Sequence, residues 1–276
     1  MRDATGESVM PHVTLTEHAP VLELTLDRAE KRNAINHALL TDLDAALDAA
    51  ERYATDAPAV WRAVILRAEG PAFSAGLDLG GFEESAAAFG EHWRDNLFVL
   101  TARYQRILGK IEALSLPVIA LLHGPVLGFG MELALAADFR IAAVGARLQF
   151  PESRIGLVPD VGGTTRLTRL LGPARAKEYI LTGKPFDLAD AERWGLVNAV
   201  VQPEELAQRG QALAGELAAA APLAVRCGKK VIDGLADSQR GQLLEAWAQA
   251  ALIRTEDFMR GAQAALTRTE PEWIGR

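Results

Sequence analysis

The segment His123-Gly124-Pro125-Val126-Leu127-Gly128-Phe129-Gly130-Met131-Glu132-Leu133 decides how the rest of the chain is read. Before it lies a short apolar run, Pro117 to Leu122, with the look of a buried strand; after it comes Met131 to Ala137, which reads as a helix. A strand, a glycine turn and a helix start in that order aim free backbone N–H groups and a partial positive charge at whatever sits in front of them. Gly128 and Gly130 let the backbone approach such a ligand closely. Dinucleotide sites use this geometry for phosphate. Here the G-x-G-x-x-G pattern fails, because position 133 holds leucine, and the Glu132 carboxylate in the first helical turn would oppose a pyrophosphate.

Outward from this junction the chain alternates short strands with helices. Val21 to Asp27 alternates like a strand with one buried face. Asn36 to Tyr53 carries apolar residues at helical spacing: Leu39, Leu40, Leu43, Ala46, Leu47 and Ala50. Val64–Leu66 and Phe139–Ala143 read as buried strands, and Leu97–Ala113 as a helix. From Gly162 the pattern is nearly all helical, over about 162–171, 174–181, 188–194, 203–220, 222–235 and 240–268, with one late strand near Val197–Val201. The first eleven or so residues are polar and expected to be loose, and 83–95 is the least patterned internal stretch, a candidate flap. This succession predicts an α/β fold followed by a helical C-terminal third.

Composition narrows the function. With 276 residues, 49% of them hydrophobic, the chain has enough apolar material for a sizeable core. A net charge of -7 without a basic block argues against nucleic acid and against an anionic membrane surface as partners. The apolar run Leu116 to Leu122 is too short to cross a bilayer. One cysteine, Cys227, excludes an intrachain disulfide, and MRDATGESVMPH shows no apolar leader core, so a cytoplasmic protein is expected. No metal-ligand cluster is visible, and Ser74 lies in no G-x-S-x-G elbow.

Two further segments complete the chemistry: Phe73-Ser74-Ala75-Gly76-Leu77-Asp78-Leu79, after the strand at 64–66, and the loop Phe150 to Thr164 (FPESRIGLVPDVGGT). Together with the first they suit a thioester whose carbonyl oxygen takes negative charge. Enolate chemistry needs two fixed donors on that oxygen and a carboxylate near the adjacent carbons, and such donors act most strongly in a dry site. Taken singly, Glu132 could merely complement a helix dipole and Glu152 could cap a turn.

The three segments together resemble the signature of the crotonase (enoyl-CoA hydratase/isomerase) family. FSAGLDL resembles its first oxyanion loop, HGPVLGFGMELALAAD its second loop and catalytic helix, and PESRIGLVPDVGGTTRL its second catalytic loop. LDRAEKRNAI and LTGKPFDLADAERWGLVN resemble its N-terminal coenzyme-A turn and a later helix pair, so the likeness runs from about Val13 to Trp273. The resemblance implies an α/β spiral of ββα units: a core over residues 1–200 with the coenzyme-A and active sites, and a helical region over 201–276 used in assembly. It implies Leu77 and Phe129 as oxyanion N–H donors and Glu132 and Glu152 as the catalytic carboxyl pair. Arg28, Lys31, Arg32, Ala34, Ala75, Asp78, Leu79, Gly128 and Pro151 are implied to line the path of substrate and coenzyme A.

The activity implied is reversible addition of water to a trans-2-enoyl-CoA, with coenzyme A entering as part of the substrate, no metal and no other cofactor. The partner implied is a second and third copy of the chain, as a homotrimer or dimer of trimers. The apolar stretches 212–225 and 243–253 point the same way, because such helices need a covering surface. Asp160 departs from the usual hydratase glycine. Two readings stay open for it: an N-cap for the helix near Gly162, or a third acid, which would favour an enoyl- or dienoyl-CoA double-bond isomerase. Phe129 stands where glycine is common, so its side chain is expected to narrow the pocket. His123 and Cys227 read as structural residues. A non-catalytic acyl-CoA binder is the remaining alternative, and two acids beside a thioester speak against it.

Overall fold

The computed structural model describes residues 12–78, 80, 90, 97–234, 255–267 and 269–276. Leu79, the stretch 83–95 apart from Gly90, and the segment 243–253 lie outside them. In chain order the elements are β1 (Val13–His18), β2 (Val21–Leu26), α1 (His37–Asp56), β3 (Ala63–Ala68), α2 (Leu97–Ala113), β4 (Val118–Leu122), β5 (Pro125–Leu127), α3 (Phe129–Ala136), β6 (Phe139–Ala143), β7 (Arg147–Gln149), α4 (Gly163–Thr182), α5 (Leu188–Arg193), β8 (Ala199–Val201), α6 (Leu206–Ala218), α7 (Pro222–Asp233) and α8 (Glu256–Thr267).

A six-stranded sheet runs in the order β1-β2-β3-β4-β6-β8. β1 pairs antiparallel with β2, and every later neighbour is parallel. Parallel strands need helical crossovers, and α1, α2 and α3 cover one face of the sheet, while α6, which follows the last strand, covers the other. Alternation along β3 shows the division. Val64 and Leu66 face a core shared with Leu43 and Leu47 of α1, Ile107 and Ile111 of α2, and Leu133 of α3. Ala63 and Ile65 face a second cluster with Leu206 and Ala214 of α6. α1 buries the apolar stripe predicted for it, and the Asn36 side chain caps it by accepting the Leu39 N–H at 2.9 Å.

The structure revises several local expectations. β2 is covered on both faces, because the outer-face residues Glu23 and Thr25 are closed over by Arg67 of β3, which pairs with Glu23 at 3.1 Å. β1 was not foreseen at all. The glycine turn 124–130 contains the short strand β5, which pairs in parallel with β7, and α3 starts two residues earlier than expected. The two helices expected over 162–181 form one element with a break at Gly172, where φ is 78° and Pro173 follows. Isolated bridges Ile35↔Leu77 and Ser74↔Val126 extend the small β5–β7 layer, and this layer carries the candidate site at its rim. No helix among the described residues is long and apolar enough to cross a membrane.

Candidate active site

Two backbone loops are locked together before any side-chain chemistry enters. Ser74 N–H donates to Pro125 O at 3.1 Å and Leu127 N–H to Ser74 O at 3.0 Å, so the first loop runs alongside β5. The Ser74 hydroxyl donates to Asn33 O and accepts the Gly76 N–H, at 2.8 and 3.1 Å. Gly76 sits at φ 93°, and a Cβ there would lie 2.7 Å from Leu127 O and 3.7 Å from Phe129 N. Only glycine brings the loops this close.

The bonding pattern also fixes where the N–H groups point. Ile35 N–H donates to Gly76 O and Asp78 N–H to Ile35 O, so the groups flanking Leu77 face Ile35 and the Leu77 N–H turns to the opposite side. Phe129 opens α3, where no helical acceptor exists for its N–H. Among the described residues neither N–H donates to a protein group. Both residues line a cavity of about 220 Å³.

Glu132, Glu152 and Asp160 line the same cavity. Glu132 is 2% exposed, and its Oε1 accepts the N–H groups of Val161 and Gly163, each at 2.8 Å. Burial pushes its carboxyl up to about 8; the two backbone donors oppose that rise, and the charges of Asp160 and Glu152 reinforce it. Glu152 begins a 3-10 turn, Glu152–Ile155, after Pro151. A Cβ on Gly128, which has φ 51°, would meet Glu152 Oε1 at 2.8 Å, so glycine makes room for this carboxyl as well. Burial raises the Glu152 carboxyl, its own backbone N–H opposes, and the Asp160 charge raises it further. Its Oε2 is buried without a hydrogen-bond partner among the described residues.

Asp160 is not the helix cap. Gly162 holds that position at φ 101° with no side-chain cap. The Asp160 carboxylate instead accepts the Thr101 hydroxyl of α2 at 3.0 Å, and its carbonyl accepts Gln105 Nε2 at 2.6 Å. Tyr104, one turn along α2 from Thr101, also lines the cavity, with its ring 5.9 Å from that of Phe129. The Phe129 side chain is 5% exposed and forms part of the wall.

The residues expected along the coenzyme-A path divide into two groups. Lys31 and Arg32 are exposed, and Arg32 O accepts the Ala75 N–H at 2.9 Å. Arg28 is buried and committed inward: its Nη1 donates to Ala34 O at 2.9 Å and pairs with Asp78 at 2.6 Å. Burial alone would raise the Asp78 carboxyl, but the Arg28 hydrogen bond, the Gly80 N–H and the charges of Arg28 and Lys31 together hold it below its ordinary value. Pro151 and Gly128 line the cavity between the two glutamates. His123 contacts Gly70 O at 3.0 Å, away from the cavity lining, and Cys227 is half-buried on α7.

Two residues, Asn33 and Tyr104, were not singled out in the sequence, and Ser74 was weighed there only as a nucleophile. Asn33, at φ 52° and fully buried, donates to Glu69 O and Ala72 O and accepts the Arg28 N–H, each at 2.8 Å. Ser74 ties both loops, and Tyr104 closes the pocket. The left-handed tolerance of asparagine was a readable signal for Asn33. For Ser74 and Tyr104 the partners are distant in sequence, and no local signal exists.

The fold and the paired loops are those of a crotonase-type protein. The enoyl-CoA hydratase/isomerase family pattern matches residues 16–276, and the chain belongs to that family. It is 36% identical over 263 residues to an enoyl-CoA isomerase/hydratase of Mycosarcoma maydis, covering 93% of each chain. To a carnitinyl-CoA dehydratase of Citrobacter koseri it is 35% identical over 269 residues, covering 95% of this chain and 97% of the relative. Among solved structures, an enoyl-CoA hydratase from Bacillus anthracis superposes with a TM-score of 0.86 at 33% identity, over 96% of this chain and 100% of the other. One from Mycobacterium smegmatis gives 0.84 at 29% identity, over 96% and 99%.

Proposed function

We propose that the protein is an enoyl-CoA hydratase that adds water reversibly to a trans-2-enoyl-CoA thioester. One observation carries this reading: two carboxyls, Glu132 and Glu152, converge on one cavity of about 220 Å³ with the N–H groups of Leu77 and Phe129. The thioester oxygen sits between the two N–H donors, which stabilise the enolate as it forms. A water held by the carboxyls gives a proton to the ionised one as its oxygen bonds to the β-carbon, and the protonated one gives a proton to the α-carbon. Three acids lining one cavity favour retention of one proton, most of all on the buried Glu132, and the raised carboxyls of Glu132 and Glu152 support that division of labour. The thioester is itself the electron sink, so the reaction needs no metal or redox cofactor, and coenzyme A arrives with the substrate. Lys31, Arg32, Ala34, Ala75 and Asp78 flank its path. The working enzyme is a homotrimer or dimer of trimers assembled through residues 201–276, and it works in the cytoplasm.

The test is a panel of 2-enoyl-, 3-enoyl- and dienoyl-CoA esters in oxygen-18 water, with products identified by mass. Label uptake into a 3-hydroxyacyl product, lost in both Glu132→Gln and Glu152→Gln, is the expected result. A double-bond isomerase is the second reading. It is favoured by Asp160 in the cavity and by the isomerase activity in the name of the Mycosarcoma maydis relative. A shifted double bond without label would replace the first reading with this one.

A further inference from the structure

The peptide groups that hold Glu132 are themselves held from behind. The two N–H donors to Glu132 Oε1 belong to the 160–161 and 162–163 peptides. The 161–162 peptide lies between them, and its carbonyl, Val161 O, accepts Arg166 Nη1 at 2.9 Å. Arg166 Nη2 pairs with Glu112 of α2 at 2.6 Å, and the Arg166 side chain is 11% exposed. The guanidinium lies against Gly162: a Cβ there would meet Nη1 at 2.2 Å and Cζ at 2.9 Å. Arg166 N–H also donates to Gly162 O at 2.9 Å, so backbone and side chain of one residue grip the same turn.

We propose that Arg166, braced by Glu112, is a positioning residue that sets the 161–163 turn and through it the orientation of the Glu132 carboxyl. Arg166 lines a separate cavity of about 640 Å³ with Glu112, Arg169 and Lys229, and does not line the one that holds Glu132, so it acts through the turn alone. A planar guanidinium bonds the carbonyl and the carboxylate at fixed angles, which a lysine ammonium does not reproduce. The catalytic meaning of this contact rests on the hydratase reading above; the contact's effect on Glu132 does not.

Arg166→Gln, Arg166→Lys and Glu112→Gln are compared with the parent enzyme by two readouts. The first is the titration of the Glu132 carboxyl band by infrared difference without substrate, with Glu132→Gln as the blank. Donors to the ionised carboxylate favour it, so a loosened turn moves that titration to higher pH, by about one pH unit in Arg166→Gln and less in the other two. The second is steady-state kinetics. Misplacement of an acid–base group lowers kcat by about 10- to 100-fold and leaves KM within about twofold. Arg166→Lys and Glu112→Gln carry the test if Arg166→Gln does not fold. An unmoved Glu132 titration in folded Arg166→Lys and Glu112→Gln overturns the proposal. A moved titration in an enzyme whose Glu132→Gln form still turns over upholds the positioning and sinks the hydratase reading instead.

Discussion

Ser74 packs against Gly130 so closely that a methyl group on Gly130 would lie 2.6 Å from the Ser74 Cβ. The contact sets the separation of the two loops that carry the Leu77 and Phe129 N–H groups. Gly130→Ala must push those loops apart. The expected result is a loss of about 1–3 kcal/mol in stability from overpacking and a drop in turnover. Adding Ser74→Gly to Gly130→Ala removes the two nearest contacts, Cβ and Oγ, leaves the Ser74 carbonyl oxygen at 3.0 Å, and recovers part of the turnover lost in Gly130→Ala alone, the lost hydroxyl ties to Asn33 and Gly76 limiting the rescue. Chemical denaturation and initial rates on the double-mutant cycle check this, and strictly additive effects would refute it.

Glu132 makes stability depend on pH in a predictable direction. Its carboxyl titrates near 8 in the folded protein against 4.5 unfolded, so between those values the folded state holds a proton that the unfolded state has released. The group's contribution is therefore fully present below 4.5 and is lost as pH rises through 8, with a limiting slope of about 1.4 kcal/mol per pH unit. Glu132→Gln keeps an oxygen for the Val161 and Gly163 N–H groups and removes the proton. Its melting temperature should exceed the parent's by more at pH 8.5 than at pH 5. Parallel curves for the two proteins across that range would exclude the burial argument.

Asp160 distinguishes the two activities. Asparagine at 160 still accepts the Thr101 hydroxyl, so in a hydratase Asp160→Asn keeps turnover within about threefold, against the 10²–10⁴-fold loss typical of a removed acid–base group. Rates of Asp160→Asn on 2-enoyl- and 3-enoyl-CoA esters decide the matter. A dead variant would mark Asp160 as a proton carrier.

The Arg28–Asp78 pair is a stability element placed next to a binding path. Its partners are 10% and 18% exposed, so removing one leaves a poorly solvated charge. Arg28→Met is expected to cost about 3–5 kcal/mol, and Arg28→Met with Asp78→Leu to recover most of it. Urea denaturation of the parent and the two variants measures both numbers.

Much of this was legible in the chain because the informative segments are local. The periodicity of 36–53 marked α1 through Leu39, Leu43 and Leu47, and the glycine-flanked motifs around Leu77, Phe129 and Glu132 marked the loops. What stayed hidden depends on contacts between distant residues. β5 and β7 are three residues each, too short for a period-2 pattern to register, and they exist because they pair with each other. The sequence left Asp160 open between a helix cap and a third acid because its partner Thr101 lies 59 residues away. The resemblance placed Arg28 on the coenzyme-A path, and nothing near it in sequence announces its ion pair with Asp78, 50 residues on.

The helix that carries Glu132 is buried along its whole length, whereas Ile155, Leu157 and Val158, which line the same cavity, are 57%, 50% and 65% exposed. A change in α3 disturbs the core at once; a change at those three positions removes no packing that the fold relies on. Under the proposed enoyl-CoA reading, these positions are free to drift without loss of the fold, and a saturation library confined to 155, 157 and 158 is the economical place to look for altered acyl selectivity.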